Sequence, residues 1–416
     1  MRILIVTQYF WPEHFRINDL AEGLVERGHE VTVLTGSPNY PEGKIFKGYG
    51  YFNREEIRTG VRILRVPLIP RGQGSGLRLA LNYLSYLVSA SLLGPLLCRG
   101  SFDLIFVCQL SPVTVGIPAA FLKRLKRAPI LFWILDLWPE SIVAAGGLRP
   151  PWIYRGVDAM VRFIYRRCDR ILYTSKGFAS SIQSRGVEPS RLAYFPNWVE
   201  PLPEVVGAPP VQLPKGFRIL FAGNVGEAQD FGTILNAAEQ LKDHPEIQWI
   251  ILGEGRQWNW VKDQVEARGL SACVHLLGRF PADTMPSFFA QADALLVTLK
   301  RDPVFALTVP GKVPSYMACG RPILAALDGE GAAVITEAQA GCVVPSGDAP
   351  GLADRALELS RLSEGERSEM GRSGQQYCNT LFDREKLFSL LEFHLQELAG
   401  NAKSRPRTRS SSHPAG

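Results

Sequence analysis

The chain has 416 residues, 46% of them hydrophobic and 21% charged, an ordinary globular usage that excludes a disordered, collagenous or polytopic membrane chain. Its length exceeds what one core usually supports, so two domains of roughly 200 residues are expected. The formal charge of +6 is uneven, with 25 Lys and Arg against 15 Asp and Glu in residues 1–200; a basic half suits anionic lipid or phosphorylated substrates, while no basic stripe interleaved with aromatics marks a nucleic-acid surface.

In chain order, "RILIVTQYF" reads as a strand that opens without the charged and apolar regions of a secretory signal, so a cytoplasmic protein is expected. The seven scattered cysteines, with no Cys-x-x-Cys pair, agree with reduced thiols and imply no metal. An amphipathic helix follows around Asn18 to Arg27, then a strand, "EVTVLTG". Leu77 to Leu97 is apolar over about the 20 residues that cross a bilayer, but carries Arg78, Asn82 and Pro95. Three readings stay open for it: a spanning helix, a buried or partly exposed core helix, or a helix dipping into a membrane surface. "FDLIFVCQL", "APILFWILDL" and "DRILYTS" complete a first set of buried strands.

Six prolines between Pro196 and Pro214 then interrupt the pattern. It restarts with "RILFAGNVG", "IQWIILGEG", "VHLLGRF", "ADALLVTL", "RPILAAL" and "AGCVVPS". The fold class expected is therefore α/β, two Rossmann-like doubly wound domains facing across a cleft, with ligands at the carboxyl ends of the strands. The expected boundaries are 1–200 for the first domain, 201–216 for a linker, 217–382 for the second domain, 383–399 for a helix and 400–416 for a disordered basic tail.

Two stretches point to phosphate. "PGKVPSYMACGRPI", Pro310 to Ile323, reads as a turn, a two-turn helix and a glycine stop, with Pro314 suited to a first helical position. Its first turn carries no acid, so the ammonium of Lys312 beside bare N–H groups suits an anion. Gly253-Glu254-Gly255 sits after a strand and before a helix, where small residues let backbone approach a phosphate. A dinucleotide fingerprint would need a glycine where Trp258 stands, and no Asp-x-Asp occurs to hold a divalent metal. No cofactor is expected, and phosphate must be met by protein groups alone.

"YFPNWVE", "FAGNVGEAQDF", "ILGEGRQW", "LGRFPADTMPSFFAQADALLV" and "PGKVPSYMACGRPILA" follow one another in an order that resembles the family-four glycosyltransferases, retaining enzymes of the two-domain GT-B architecture. "QYFWPEHFRINDLAEGLVERGHEVTVLTGSPNYPEG" and "DLWPESIVAAGG" resemble, more narrowly, bacterial N-acetyl-fucosaminyl and colanic acid transferases of surface polysaccharides. The resemblance implies an acceptor-side first domain and a second domain that binds a UDP- or GDP-sugar, with a lipid-diphosphate-linked glycan as acceptor and peripheral contact with the anionic inner face of the membrane.

The resemblance also assigns positions. The family's diphosphate-gripping Gly-Arg and Lys fall on Asn224 and Gln229, both neutral, and its two glutamates fall on Leu307 and Ser315. Charge on the donor diphosphate is then left to Lys300, Arg301 and Lys312, with Gly311 beside them. Gly253, Glu254, Gly255, Arg279, Phe280 and Ser315 are the implied nucleoside contacts. In the first domain Asp136 matches a family His-Asp pair whose histidine position holds Leu135, which suits a 6-deoxy sugar. Glu13, His14, Arg16 and Glu140 are the implied acceptor and first-loop contacts. Lys312, Lys300 and Asp136 are the catalytic candidates. Two other readings compete, a sugar-nucleotide 2-epimerase of the same architecture and a catalytically silent binding scaffold; the first needs more carboxylates and histidines than the second-domain motifs offer.

Overall fold

Each of the eleven apolar runs quoted above is a strand in the computed structural model, which describes residues 1–50, 55–73, 76–144, 150–200 and 207–404. Three further strands arise that apolar runs do not announce. Two of them pair antiparallel across Thr59-Gly60, both at positive φ, as the twist of a tight hairpin requires.

The chain divides into two units. The first takes residues 1–174, 179–195 and the chain from Phe388 onward. Its strands are β1 (Arg2–Val6), β2 (Glu30–Gly36), β3 (Glu55–Arg58), β4 (Val61–Val66), β5 (Leu104–Gln109), β6 (Ile130–Ile134), β7 (Arg170–Tyr173) and β8 (Leu192–Tyr194). They form one sheet ordered β3-β4-β2-β1-β5-β6-β7-β8, parallel apart from the β3–β4 pair. The strand order reverses at β1 and β5, the switch point where doubly wound sheets bind ligands. Helices α1 (Arg16–Glu26), α2 (Gly76–Leu97), α3 (Gly116–Lys126), α4 (Glu140–Ala144), α5 (Pro151–Arg167) and α6 (Phe178–Ser184) connect these strands, with Phe178 itself grouped with the second unit.

The second unit, residues 175–178 and 196–387, holds β9 (Phe217–Ala222), β10 (Ile247–Leu252), β11 (Val274–Gly278), β12 (Ala294–Thr298), β13 (Ile323–Ala326) and β14 (Gly341–Val344). The order is β11-β10-β9-β12-β13-β14, all parallel, with the switch point between β9 and β12. Its helices are α7 (Phe231–Gln240), α8 (Trp258–Ala267), α9 (Met285–Ala290), α10 (Pro303–Ala306), α11 (Lys312–Ala318), α12 (Gly329–Glu337), α13 (Ala349–Arg361) and α14 (Glu364–Leu381). Strands buried on both faces explain the continuous apolar runs: β10 and β12 are buried at every residue.

Two boundaries differ from the sequence reading. The change of unit falls at Phe195 and Pro196, before the expected linker, of which residues 201–206 lie outside the described residues. The last helix, α15 (Arg384–Ser404), runs five residues into the expected tail, and from Phe388 it belongs to the first unit. Ion pairs account for that: Glu392 meets Arg27 at 3.3 Å and His29 at 3.0 Å, and Glu397 meets Arg170 at 2.5 Å. The disorder expected for the tail falls, from residue 405, outside the described residues.

The Leu77 to Leu97 segment is α2, long and apolar enough to cross a membrane by length and composition. Only Asn82, Tyr86, Ala90 and Gly94 are buried, a stripe at four-residue spacing that lies on the sheet. Tyr86 donates to the carbonyls of Thr7 and Leu34 at 2.9 and 3.1 Å, and Asn82 accepts from Gln8 at 2.7 Å. The helix is thus a partly exposed core helix: one stripe is fixed to the sheet and the other is exposed. Tyr86→Phe is expected to cost about 1 kcal/mol in denaturant titration, with secondary structure unchanged.

Candidate active site

In the second unit the site grows from the ends of β9 and β10. Gly253 has φ +124, and a Cβ there would lie 1.8 Å from the Gly223 carbonyl oxygen. A Cβ at Gly255 would meet the Val225 carbonyl at 2.3 Å. These glycines let two strand exits touch backbone to backbone, with Gly223 N–H donating to Leu252 at 2.9 Å and Gly253 N–H to Gly278 at 2.7 Å. The Gly253 N–H is therefore used within the protein and is not free for a phosphate. The turn instead floors a cavity of about 390 Å³ lined by Gly223, Asn224, Gly253, Glu254, Arg279 and Phe280. Phe280 is fixed against Phe288 at 4.8 Å between ring centroids. One aromatic face, one guanidinium and one carboxylate around such a volume can hold a nucleoside-sized group.

Lys312 is the first residue of α11, and Gly311, exposed, is its N-cap. Pro314 is the third helical residue rather than the first, a position whose N–H still lacks an intrahelical partner. The Lys312 stem crosses Gly223 so closely that a Cβ there would lie 2.8 Å from Cε, which sets the ammonium beside the cavity. It lies 4.2 Å from the centroid of the buried Phe221 ring and donates to Gln229 Oε1. Gln229 is held in turn by Thr298, which donates to its carbonyl from the end of β12. Burial lowers the Lys312 pKa to about 8 from the usual 10.5.

The other two expected cations differ. Lys300 is exposed and paired with Glu227 at 2.8 Å, which raises its pKa. Arg301 donates to the Ser346 carbonyl at 3.0 Å and approaches Asp328 at 3.7 Å. Of the three, Lys312 alone has a neutral side-chain partner. Ser315 turns its hydroxyl back to the Gly311 carbonyl at 2.9 Å and does not line the cavity, so its placement as a nucleoside contact is corrected.

In the first unit, polar groups gather at the ends of β1, β2, β5 and β6. Glu13 is buried, and its carboxylate accepts from the backbone N–H of Phe10, Asn39 and Tyr40 at 3.2, 2.8 and 2.7 Å. Burial raises its pKa to about 7 against those three bonds. Glu13 thus ties the first loop to the exit of β2, a structural place rather than the ligand contact expected. His14 is exposed and edge-on to Trp11 at 6.1 Å, and Arg16 opens α1, partly buried. Asp136 follows β6; burial raises its pKa, and its carboxylate accepts from the Trp138 indole at 3.0 Å.

Glu140 is likewise a correction. It accepts from Ser181 at 2.6 Å and pairs with Arg185 at 3.0 Å, while Arg185, 4% exposed, also reaches Asp158 at 2.9 Å. The sequence reading missed Gln8 and Gln109. Both are buried at strand ends beside the switch point, each with a side-chain oxygen that lacks a partner. A polar residue closing an otherwise apolar run was their signal. Among the described residues no group of three His, Cys, Asp or Glu gathers as metal ligands.

The comparisons agree with this anatomy. Residues 14–198 match the glycosyl transferase 4-like domain and residues 216–361 the glycosyl transferases group 1 family. The chain is 26% identical over 340 residues to WcaI of Escherichia coli (strain K12), named for glycosyl transfer in colanic acid biosynthesis, covering 77% of this chain and 82% of that one. It is 31% identical over 269 residues to WbjE of Pseudomonas aeruginosa, named as a glycosyltransferase, covering 59% of this chain and 66% of that one. The solved structure of Anabaena Alr3699/HepE in complex with UDP and glucose aligns with a TM-score of 0.64 at 14% identity, covering 95% of this chain and 99% of that one. The chain belongs to the family-four glycosyltransferases of GT-B fold.

Two outcomes follow from the buried charges. Because the folded pKa of Lys312 lies below the unfolded value, the unfolded chain binds more protons between pH 8 and 10.5, and this group makes stability rise with pH across that window. Lys312→Met should remove the rise and stabilise the unliganded protein below pH 8, measured by urea titration at several pH values. Arg185→Ala should cost about 3 kcal/mol in the same assay, since it leaves the Glu140 carboxylate with Ser181 alone while Asp158 keeps Arg162 at 2.7 Å.

Proposed function

We propose that the protein transfers a sugar, an N-acetylated or 6-deoxy hexose, from a UDP- or GDP-sugar to a hydroxyl of a lipid-diphosphate-linked or polysaccharide acceptor, with retention, in cell-surface polysaccharide biosynthesis. The observation that carries the reading is the Lys312 ammonium, desolvated against Phe221 and without a carboxylate partner, beside a nucleoside-sized cavity. A buried cation without a counter-charge is stabilised when a diphosphate arrives, and stabilised further as negative charge grows on the leaving group. The crystallised complex of the Anabaena neighbour with UDP and glucose, and the polysaccharide named for the Escherichia coli relative, support the donor class and the pathway class.

In the proposed reaction the bond from the sugar's anomeric carbon to the diphosphate oxygen breaks. A bond from the acceptor hydroxyl oxygen forms on the same face, and the hydroxyl proton passes to the leaving phosphate oxygen. No enzyme nucleophile is required, so the protein contributes position and charge. Lys312 meets the diphosphate, with Gln229 orienting the lysine and Asn224 at the cavity rim; Lys300 joins once the diphosphate displaces Glu227. Asp136 contacts the sugar, where Leu135 in place of a histidine leaves an apolar wall for a 6-deoxy carbon. The chain contains no Asp-x-Asp, which supports charge compensation by lysine and no requirement for a metal or other cofactor. The protein works in the cytoplasm at the inner face of the membrane, a placement supported by the exposed apolar stripe of α2.

Purified protein incubated with UDP- and GDP-sugars, 6-deoxy ones included, and a lipid-diphosphate acceptor should release nucleotide from one donor class. Lys312→Ala should lower kcat more than about tenfold with a smaller change in KM, because the lost contact is strongest in the transition state. An unchanged rate, or activity abolished by a chelator, overturns this reading.

A further inference from the structure

The exposed face of α2 borders a groove of about 740 Å³ whose other wall is the segment after β4, Pro67 to Ile69. Its volume falls within the range of ligand-holding clefts, roughly 300–1,000 Å³. Leu81, Leu84, Val88 and Leu92 line it, recurring at helical spacing over roughly 16 Å of axis. Leu84, Val88 and Leu92 are 53, 51 and 67% exposed, far from the burial a core face has.

The hydroxyls along the groove are used inside it. Ser89 donates to the Pro67 carbonyl at 2.6 Å, and Ser85 accepts from the Ile69 N–H at 2.8 Å while donating to Asn82 at 2.9 Å. The groove therefore presents hydrocarbon along its length. Its polarity changes at one end, where the α2 N-terminus meets the continuation of the β4 segment. Arg78 donates to the Pro70 carbonyl at 3.1 Å, its stem against Gly72, and Arg71 lies over the Tyr40 ring at 4.8 Å. Among the described residues neither arginine has a carboxylate within ion-pairing distance. The same end joins the strand-end polar cluster: Asn82 donates to the Ile69 carbonyl at 2.6 Å and accepts from Gln8, and the Arg71 N–H donates to Asn39 at 3.0 Å.

We infer that this groove holds the hydrocarbon chain of the lipid carrier, an isoprenyl diphosphate, with Arg71 and Arg78 on its phosphates. The inference rests on the lipid-linked acceptor proposed above and names where the carrier is recognised. An apolar trough that ends in two guanidiniums without carboxylate partners among the described residues matches, in order, a tail and a diphosphate.

The test measures binding of a fluorescent short-chain isoprenyl diphosphate, kept below its micellar concentration, to the full-length protein. Saturable binding is expected, weakened about tenfold or more by Leu84→Glu with Val88→Glu, both exposed positions. Arg71→Gln with Arg78→Gln should weaken the diphosphate probe and leave the corresponding uncharged isoprenol unaffected. Three results overturn the inference: no saturable binding by the wild type, equal binding by the groove variant, or binding only to anionic vesicles that lack isoprenyl phosphate. A concentration-dependent dimer abolished by the groove variant assigns the face to a second copy and overturns it too. Transfer to the same glycan diphosphate on a short alkyl chain should be unchanged in the groove variant. If the wild type binds the probe but releases nucleotide from no donor, the transferase reading fails and the groove stands.

Discussion

A lysine ammonium held between a phenyl ring and a neutral amide is the interaction on which the second unit's chemistry turns. Lys312 is desolvated without a counter-charge inside the protein. Such an arrangement costs stability in the free protein and is relieved by an anion. Its neighbours make this selective rather than general. Lys300 and Arg301 are surface cations already engaged by Glu227 and Asp328, and pairs of that kind contribute little on their own.

The wider family uses charged residues where this chain has Asn224 and Gln229. With Gln229 as the partner, the lysine is oriented without being neutralised. A carboxylate at that position would have formed a buried pair and closed the site to phosphate. The neutral substitutions are therefore coherent with a site in which Lys312, of the three expected cations, is the one without a carboxylate partner among the described residues.

Much of this was legible in the sequence. Continuous apolar runs announced parallel sheets because strands covered on both faces have no polar side to show. The lysine between prolines and the Gly-Glu-Gly turn marked residues that the structure places beside one cavity. What stayed hidden depends on non-local partners. Glu13 and Glu140 look like available acids in the chain, yet one is consumed by N–H groups 26 and 27 residues away and the other by an arginine 45 residues on. Nothing local separates Lys300, which meets a carboxylate, from Lys312, which meets an amide. The β3–β4 hairpin was missed because its strands alternate charged and apolar residues beside a turn made by threonine and glycine.

The Gly223 carbonyl leaves no room for a side chain at Gly253, so this part of the cavity floor is bare main chain and carries no chemical identity. The rim, by contrast, is made of Asn224, Glu254 and Arg279, all exposed and free of the packing that fixes the floor, and under the proposed function it is where one base would be told from another. Such an enzyme can be redirected to a different donor by exchanging rim side chains, while the floor beneath tolerates almost no change.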